Sequence, residues 1–70
     1  MIFTDHFVER MRQRRITADE VMAVYTLGAP VRTKHRRLRR RRSGVELVTQ
    51  PVNGDEVFIT VVRYHHKKRR

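Results

Sequence analysis

The chain has 70 residues, 17 lysines and arginines against 7 acidic residues, no cysteine, and a formal net charge of +10. This length is enough for one small domain but not for two, and the lack of cysteine excludes a disulfide framework and a thiolate metal site. The charge predicts a polyanionic partner, namely RNA, DNA or the ribosome. No segment joins this charge to a strongly apolar face, so we expect no membrane partner. Residues 1–30 lack the apolar core of a signal peptide and no run could span a bilayer, so we expect a cytoplasmic protein.

The first predicted element is a helix over residues 4–15. Thr4 or Asp5 can cap its start. Its apolar side chains recur at helical spacing. They are Phe3, Phe7, Val8 and Met11. Three polar side chains border this stripe at intervals of one turn: His6, Arg10 and Arg14.

A second helix is predicted to follow almost directly. Thr17-Ala18-Asp19-Glu20 is a capping box, in which the hydroxyl and the terminal carboxylate each bind a free backbone N–H. Ile16 and Val21 form the matching hydrophobic staple. Gly28 is expected to end the helix in a left-handed conformation, and Pro30 prevents its resumption.

From Val31 onward the hydrophobic period changes to two, which predicts strands. Strands are expected over residues 31–35, 45–50 and 57–64. Ser43-Gly44 and Asn53-Gly54 are turn signals, and the second is typical of a hairpin. Pro51 ends the ladder of its strand or marks an edge. Residues 36–42 are either an exposed strand or a loop, because their nearly uniform composition favours neither.

The last predicted strand is apolar on both faces, which suits a central strand covered by helices. The expected fold class is therefore α+β, with two N-terminal helices packed on one face of a three- to four-stranded antiparallel sheet. We expect residues 1–64 to form a single α-α-β-β-β domain and residues 65–70 to form a basic, frayed tail.

The arginine run, residues 36–42, contains six arginines interrupted only by Leu38. The planar guanidinium binds phosphate oxygens two at a time and stacks on bases. The run therefore predicts nucleic-acid binding, and a solvated loop is the alternative. The predicted nucleic-acid-binding residues are Arg36, Arg37, Arg39, Arg40, Arg41, Arg42, Arg63, Lys67 and Lys68.

The sequence has no phosphate-binding glycine loop, no nucleophile elbow and no Cys/His metal motif, so we expect no cofactor and no metal. His65 and His66 are adjacent and would lie on opposite faces of a strand, so we do not expect them to share a metal ion. The remaining cations and histidines suit metal-independent RNA cleavage through the 2′-hydroxyl. This reaction needs a base, an acid, and cations for the charge that develops on phosphorus.

The candidate catalytic groups begin with His6 and Arg10, presented by the first helix. Arg14 lies one turn further on. His35, with Tyr64 or His65 at strand ends, would complete the site. Each of these residues also has a structural explanation. His6, near the start of a helix, can cap the helix or be solvated, and Arg10 can lie beside the core with its guanidinium in water. Tyr64 can simply pack within its strand.

The segment from His6 to Thr17 reads H-F-V-E-R-M-R-Q-R-R-I-T, and Asp19-Glu20-Val21 follows. It resembles the opening of a widespread bacterial domain family of unknown function, with the signature H-A-x-x-R-M-x-x-R-G-I-S-x-x-E-V. The match covers the helical half closely and the strand half in outline. Such families are grouped with the barnase/EndoU/RelE-like (BECR) fold, which includes ribonuclease toxins of toxin–antitoxin systems such as RelE and BrnT.

This resemblance implies a RelE/BECR-like fold and a shared polar set of His6, Arg10 and Arg14. It implies a ribonuclease-like scaffold more than ribonuclease activity; if the protein is such a toxin, we expect it to have an acidic antitoxin. The chain departs from the family at Arg15, where the signature has glycine; a positive φ there would cost arginine about 1 kcal/mol. The arginine run is a second departure.

Three functions follow as hypotheses. The first is a toxin-like, RNA-binding endoribonuclease that needs no metal. The second is a non-catalytic basic module that binds RNA, DNA or the ribosome. The third is a protein-interaction subunit whose basic face docks an acidic partner.

Overall fold

The computed structural model describes residues 1–64 of the chain. In chain order the elements are β1 (Ile2–Phe3), α1 (Asp5–Arg14), α2 (Ala18–Leu27), β2 (Val31–Arg32), a 3-10 turn (Lys34–Arg36), β3 (Leu38–Arg42), β4 (Val45–Val52) and β5 (Asp55–Arg63). The strands form one sheet in the order β1-β5-β4-β3-β2. Both helices pack against the same face of this sheet, which makes the fold α+β as expected.

The sheet has five strands and is mixed, whereas three or four antiparallel strands were expected. The two additional strands, β1 and β2, have only two residues each, too few to show a hydrophobic period. β1 pairs with β5 in parallel, with Phe3 opposite Phe58. Phe3 therefore belongs to a strand and not to the apolar stripe of α1; its ring stacks on Phe58 with centroids 4.5 Å apart.

Helix α1 starts and ends at side chains that its sequence makes recognisable. The hydroxyl of Thr4 accepts a hydrogen bond from the Phe7 N–H at 3.1 Å, as an N-cap does. Phe7 is fully buried, but Val8 is 42% exposed, so its assignment to the apolar stripe was wrong. Arg15 ends the helix with φ 54° and ψ 46°, a left-handed conformation. Arg15 thus has a positive φ at the position where the signature that it resembles has glycine, and arginine accepts the strain.

Helix α2 begins with the predicted capping box. The Thr17 N–H donates to Glu20 Oε1 at 2.9 Å, and the Glu20 N–H donates to Thr17 Oγ1 at 3.1 Å. The expected left-handed cap at Gly28 was wrong, because its φ is −79° and its ψ is 138°. Space explains the glycine instead: a Cβ there would lie 2.7 Å from the backbone oxygen of Val24.

The region after α2 turns back earlier than predicted. The strand expected over residues 31–35 ends at Arg32. His35 and Arg36 have φ values of 61° and 60°, and the Thr33 N–H donates to the Arg37 carbonyl at 2.8 Å. These left-handed residues close a hairpin loop. Most of the arginine run then forms a strand, β3, and not a loop.

Two tight turns set the register of the remaining strands. Both residues of Ser43-Gly44 and both residues of Asn53-Gly54 have positive φ, as type I′ hairpin turns require. Pro51 lies inside β4, opposite Glu56, and beyond the last β4 residue that pairs with β3. The proline therefore does not end its strand but occupies a stretch that is paired on one side.

The core lies between the helices and the sheet. Its buried residues are Phe7, Ile16, Val21, Val24, Val45, Leu47, Phe58 and Val61. A register shift beside Val48 and Thr49 leaves Ile59 without an opposite residue. This bulge keeps Phe58 and Val61 on the helix-covered face although they are three residues apart. No helix within residues 1–64 is long and apolar enough to cross a membrane.

Candidate nucleic-acid interface

The arginine run is divided by the alternation of its strand. Arg40 pairs opposite the buried Leu47, so its side chain points toward the helices, while Arg39 and Arg41 point to the other face of the sheet. The run therefore does not present six equivalent cations to solvent. Some of its guanidinium groups are bound within the protein, and others are not.

Arg40 is the most completely bound of these arginines and is only 9% exposed. Its Nη1 donates to Thr49 Oγ1 at 3.1 Å and lies 3.8 Å from Glu56 Oε2. The Thr49 hydroxyl donates to the same carboxylate at 2.6 Å. Tyr25 donates to Glu56 Oε1 at 3.3 Å, and its ring centroid is 4.6 Å from Arg40 Cζ. We call these four residues the Arg40 cluster.

The Arg40 cluster joins α2 to strands β3, β4 and β5. Burial and the neighbouring Glu56 raise the pKa of Tyr25, which keeps the phenol protonated as a donor. The Arg40 Nε is also buried and has no partner within residues 1–64. Arg40 was expected to bind nucleic acid, but this burial makes it a structural cation.

Arg41 and Arg63 also have partners inside the protein. Arg41 Nε donates to Glu46 Oε1 at 2.7 Å, and its Cζ lies 5.2 Å from the Tyr64 ring centroid.

Arg63 donates to the Arg15 carbonyl at 2.7 Å and to the Arg14 carbonyl at 3.3 Å. Its guanidinium also binds the carboxylate of Glu20, at the start of α2. Arg63 therefore ties the corner between the helices to β5.

The other cations of this region have no carboxylate within 4.0 Å in the described part of the chain. They lie between β2 and the end of β3 and are Arg32, Lys34, Arg36, Arg37, Arg39 and Arg42. We call this segment, residues 31–42, the basic hairpin. Arg36 and Arg42 are exposed, whereas Arg37 and Arg39 are half-buried. The positive charge of the hairpin is thus largely uncompensated.

The basic hairpin also lies at an edge of the sheet. β2 pairs only with Leu38 and Arg39, so no strand pairs with the outer edge of β3 from Arg40 onward. Charged side chains on an edge strand prevent pairing with other chains. One or two charges are enough for that purpose, so edge protection alone does not account for the run.

The His6 and Arg10 pair exists as expected on α1. Arg10 Nε donates to His6 Nε2 at 3.1 Å, with His6 exposed and Arg10 half-buried. Because arginine can only donate, His6 Nε2 is the acceptor in this contact. Arg14 lies one turn further along, about 12 Å along the helix from His6. The three side chains lie on one side of the helix.

The remaining predicted catalytic residues do not gather in one place. The Tyr64 N–H donates to the Gly44 carbonyl at 2.8 Å, at the end of the sheet where α1 finishes. The His35 carbonyl accepts from Gln50 Nε2 at 3.3 Å, near the opposite end of β4. Six residues of extended chain span about 20 Å, so His35 and Tyr64 are far apart. His65, Lys67 and Lys68 lie outside the described residues.

The Arg40 cluster was missed by sequence reasoning, although a signal for it was present. A two-residue turn at Ser43-Gly44 places Arg42 opposite Val45 and therefore Arg40 opposite Leu47. An arginine opposite a core leucine must point inward. Within residues 1–64 no three His, Asp or Glu side chains come close enough to hold one metal ion.

Comparison with known proteins gave no match of any of three kinds. No family model, no curated protein and no solved structure matches the chain.

Proposed function

We propose that the protein binds RNA through the basic hairpin. The observation that carries this proposal is that Arg36, Arg37, Arg39 and Arg42 have no carboxylate partner within residues 1–64. Each free guanidinium offers a planar fork that matches phosphate oxygens. RNA supplies phosphates at regular intervals along a flexible strand.

The unpaired positive charge of the basic hairpin supports a polyanionic partner because the strand β3 holds its arginines in fixed positions. In a disordered loop, like charges move apart at little cost, but β3 is held in register by β4. Fixed like charges oppose the compact state unless a partner neutralises them. Because no strand pairs with the outer edge of β3 beyond Arg39, Arg39 and Arg42, which lie on opposite faces of β3, can both reach one RNA backbone that follows this edge.

The proposal is tested with Arg39→Gln/Arg42→Gln and a control, Arg12→Gln/Arg15→Asn, that removes the same charge from the end of α1. Binding of a labelled single-stranded RNA is followed by fluorescence anisotropy. Since one charge-assisted hydrogen bond contributes about 1.5–3 kcal/mol, the first variant is expected to lose at least about tenfold in affinity. The control should lose much less.

Equal losses in both variants would show that net charge alone determines binding and would contradict a specific role for the hairpin. Tighter binding to duplex DNA than to RNA would reassign the partner class. No complex with either nucleic acid would reject the proposal.

The second candidate function is a metal-independent endoribonuclease, supported by the Arg10–His6 contact of 3.1 Å on an exposed helix face. In this candidate Arg10 moves from His6 Nε2 to the phosphate when RNA binds, and the freed Nε2 takes the 2′-hydroxyl proton as that oxygen attacks phosphorus. Arg10 and Arg14 stabilise the charge that develops on phosphorus, and the leaving 5′-oxygen takes a proton from water as its bond to phosphorus breaks. Tyr64 takes no part in this candidate, because its ring packs on Arg41, whose side chain points to the sheet face away from the helices. The helix motif that resembles the BECR group supports this candidate, as do two helices on one face of a sheet. On this view the protein is a cytoplasmic toxin with an acidic antitoxin.

Cleavage is tested in excess EDTA, with RNA alone and with ribosomes. His6→Asn is expected to abolish product while leaving RNA binding nearly unchanged. His35→Asn is the matched control and should still yield product at saturating RNA, because His35 lies at the other end of β4, in the RNA-binding hairpin, and would affect binding only. If the wild type yields no product under either condition, the enzyme hypothesis fails and the binding module remains.

A further inference from the structure

A cleft of about 340 Å³ opens beside the basic hairpin. Its walls are formed by Arg32, Arg36, Leu38 and Pro51. This volume lies at the lower end of the range of about 300–1,000 Å³ that small-molecule pockets occupy. Two of the lining residues are cations and two are apolar.

The strand register explains why three of these side chains meet. Arg32 pairs with Leu38, and Leu38 pairs with Thr49. Pro51 follows Thr49 by two residues, so it lies on the same face of β4. The three residues therefore form a row across neighbouring strands, on the face that carries the helices but beyond the end of α2.

The fourth residue, Arg36, is brought to the cleft by the left-handed turn of the hairpin loop. His35 and Arg36 have φ values of 61° and 60° in succession. A residue other than glycine is strained in this conformation, and such strain concentrates at ligand clamps and active sites. No glycine relieves the strain here.

The charge of the cleft is uncompensated. Neither Arg32 nor Arg36 has a carboxylate within 4.0 Å in the described residues. Glu56 is the acidic residue paired opposite Pro51, but its carboxylate is bound by Arg40, Thr49 and Tyr25. Glu56 thus has its partners within the Arg40 cluster and does not pair with Arg32 or Arg36.

We propose that this cleft binds one phosphorylated nucleotide, with the phosphate between Arg32 and Arg36 and the base against Leu38 and Pro51. The proposal rests on the proposed RNA binding and deepens it, since it assigns one nucleotide of the strand to a defined subsite. A nucleotide within an RNA chain and a free nucleotide share this chemistry. The experiment separates the two sources.

Amide NMR spectra of the wild type are recorded during titration with AMP, with adenosine and with a short single-stranded RNA. AMP and the RNA are expected to shift the amides of Arg36 and Leu38 and those beside Pro51. Adenosine, which lacks the phosphate, should shift them much less. Shifts centred on α1 would overturn the assignment.

The matched variants are Arg32→Gln/Arg36→Asn and Arg12→Gln/Arg15→Asn. Each pair removes two exposed arginines, one of which has a positive φ that asparagine tolerates. The cleft variant should lose AMP binding and at least about tenfold in RNA affinity, as for one charge-assisted contact. The control should keep both.

The outcomes for the cleft and for RNA binding are distinguishable. If the cleft variant binds RNA and AMP like the wild type, the subsite is rejected and the RNA-binding proposal stands. If the wild type binds no RNA but AMP shifts the cleft amides, the proposed function fails and the cleft is a site for a free nucleotide. If neither ligand binds, both are rejected.

Discussion

Arg40 Cζ lies 4.6 Å from the centroid of the Tyr25 ring. This contact places one member of the arginine run under helix α2, where only 9% of the residue is exposed. Arg40 therefore has a structural role, and the proposed contact with RNA falls to the unpaired arginines of the basic hairpin.

Glu56→Gln is expected to lower the free energy of unfolding by about 3 kcal/mol, because it leaves Arg40 buried without a counter-charge. Both side chains of this pair are less than one fifth exposed. Chemical denaturation followed by circular dichroism measures the loss. The control is Glu9→Gln, which removes an exposed pair with Arg12 and should cost less than about 0.5 kcal/mol. Similar losses in the two variants would contradict the structural role of the Arg40 cluster.

Arg15→Gly is expected to raise the free energy of unfolding by about 0.5–1 kcal/mol. The residue has a φ of 54°, which glycine adopts without steric cost. The Arg15 carbonyl, which accepts from Arg63, is kept in the variant. Gln13→Gly, inside α1, should instead cost about 1 kcal/mol. A loss of stability in Arg15→Gly would show that the arginine side chain contributes more than its strain removes.

Gly28→Ala distinguishes a conformational role for this glycine from a spatial one. Its φ of −79° suits any residue, so conformation alone predicts a gain of about 0.4–1 kcal/mol. The added Cβ would, however, lie 2.7 Å from the Val24 backbone oxygen. We therefore expect a loss of about 1–3 kcal/mol, as for overpacking. Thermal unfolding gives the sign directly, and a higher melting temperature would refute the spatial explanation.

The stability of the protein should fall with acid through two carboxyl groups. The backbone N–H of Thr17, and then Arg63, lower the pKa of Glu20 below its ordinary 4.5. The N-terminal amine lowers the pKa of Asp55 below its ordinary 3.8. As the pH falls, these carboxyl groups are protonated in the unfolded chain before they are protonated in the folded protein. The stability that the two carboxylates confer is therefore present above their ordinary pKa values, and it is lost as the pH falls through their pKa values in the folded protein.

This acid dependence is measured from unfolding free energies between neutral pH and acid. Glu20→Gln and Asp55→Asn should each flatten the decline below the ordinary pKa of the group removed. An unchanged slope in both variants would mean that other groups cause the acid loss.

Local signals in the sequence predicted much of the fold. The Thr17-Ala18-Asp19-Glu20 box fixed the start of α2, and Asn53-Gly54 fixed the β4–β5 hairpin. The two-residue strand β1 left no such signal, because its formation depends on pairing with Val57 and Phe58 far along the chain. The turn at His35 was missed because two successive residues other than glycine with positive φ are uncommon, and no glycine marks this turn in the sequence.

The sequence predicted which residues form the candidate site better than it predicted how they are arranged. The one-turn spacing of His6 and Arg10 led directly to their 3.1 Å contact. Which arginines of the run are free depended on strand register, and thus on the placement of partners such as Glu46 and Glu56. The cleft beside Arg32 depended on backbone conformations that composition does not specify.

The central claim is that the unpaired arginines of the basic hairpin contact RNA phosphates, and its most direct test is the salt dependence of RNA affinity. The dissociation constant of one single-stranded RNA is measured over a range of salt concentrations for the wild type and for Arg39→Gln/Arg42→Gln. Each lost phosphate contact lowers the slope of log K against log salt by about 0.7 on single strands, so the variant slope should be shallower by about 1.4. Equal slopes for the two proteins would contradict the claim.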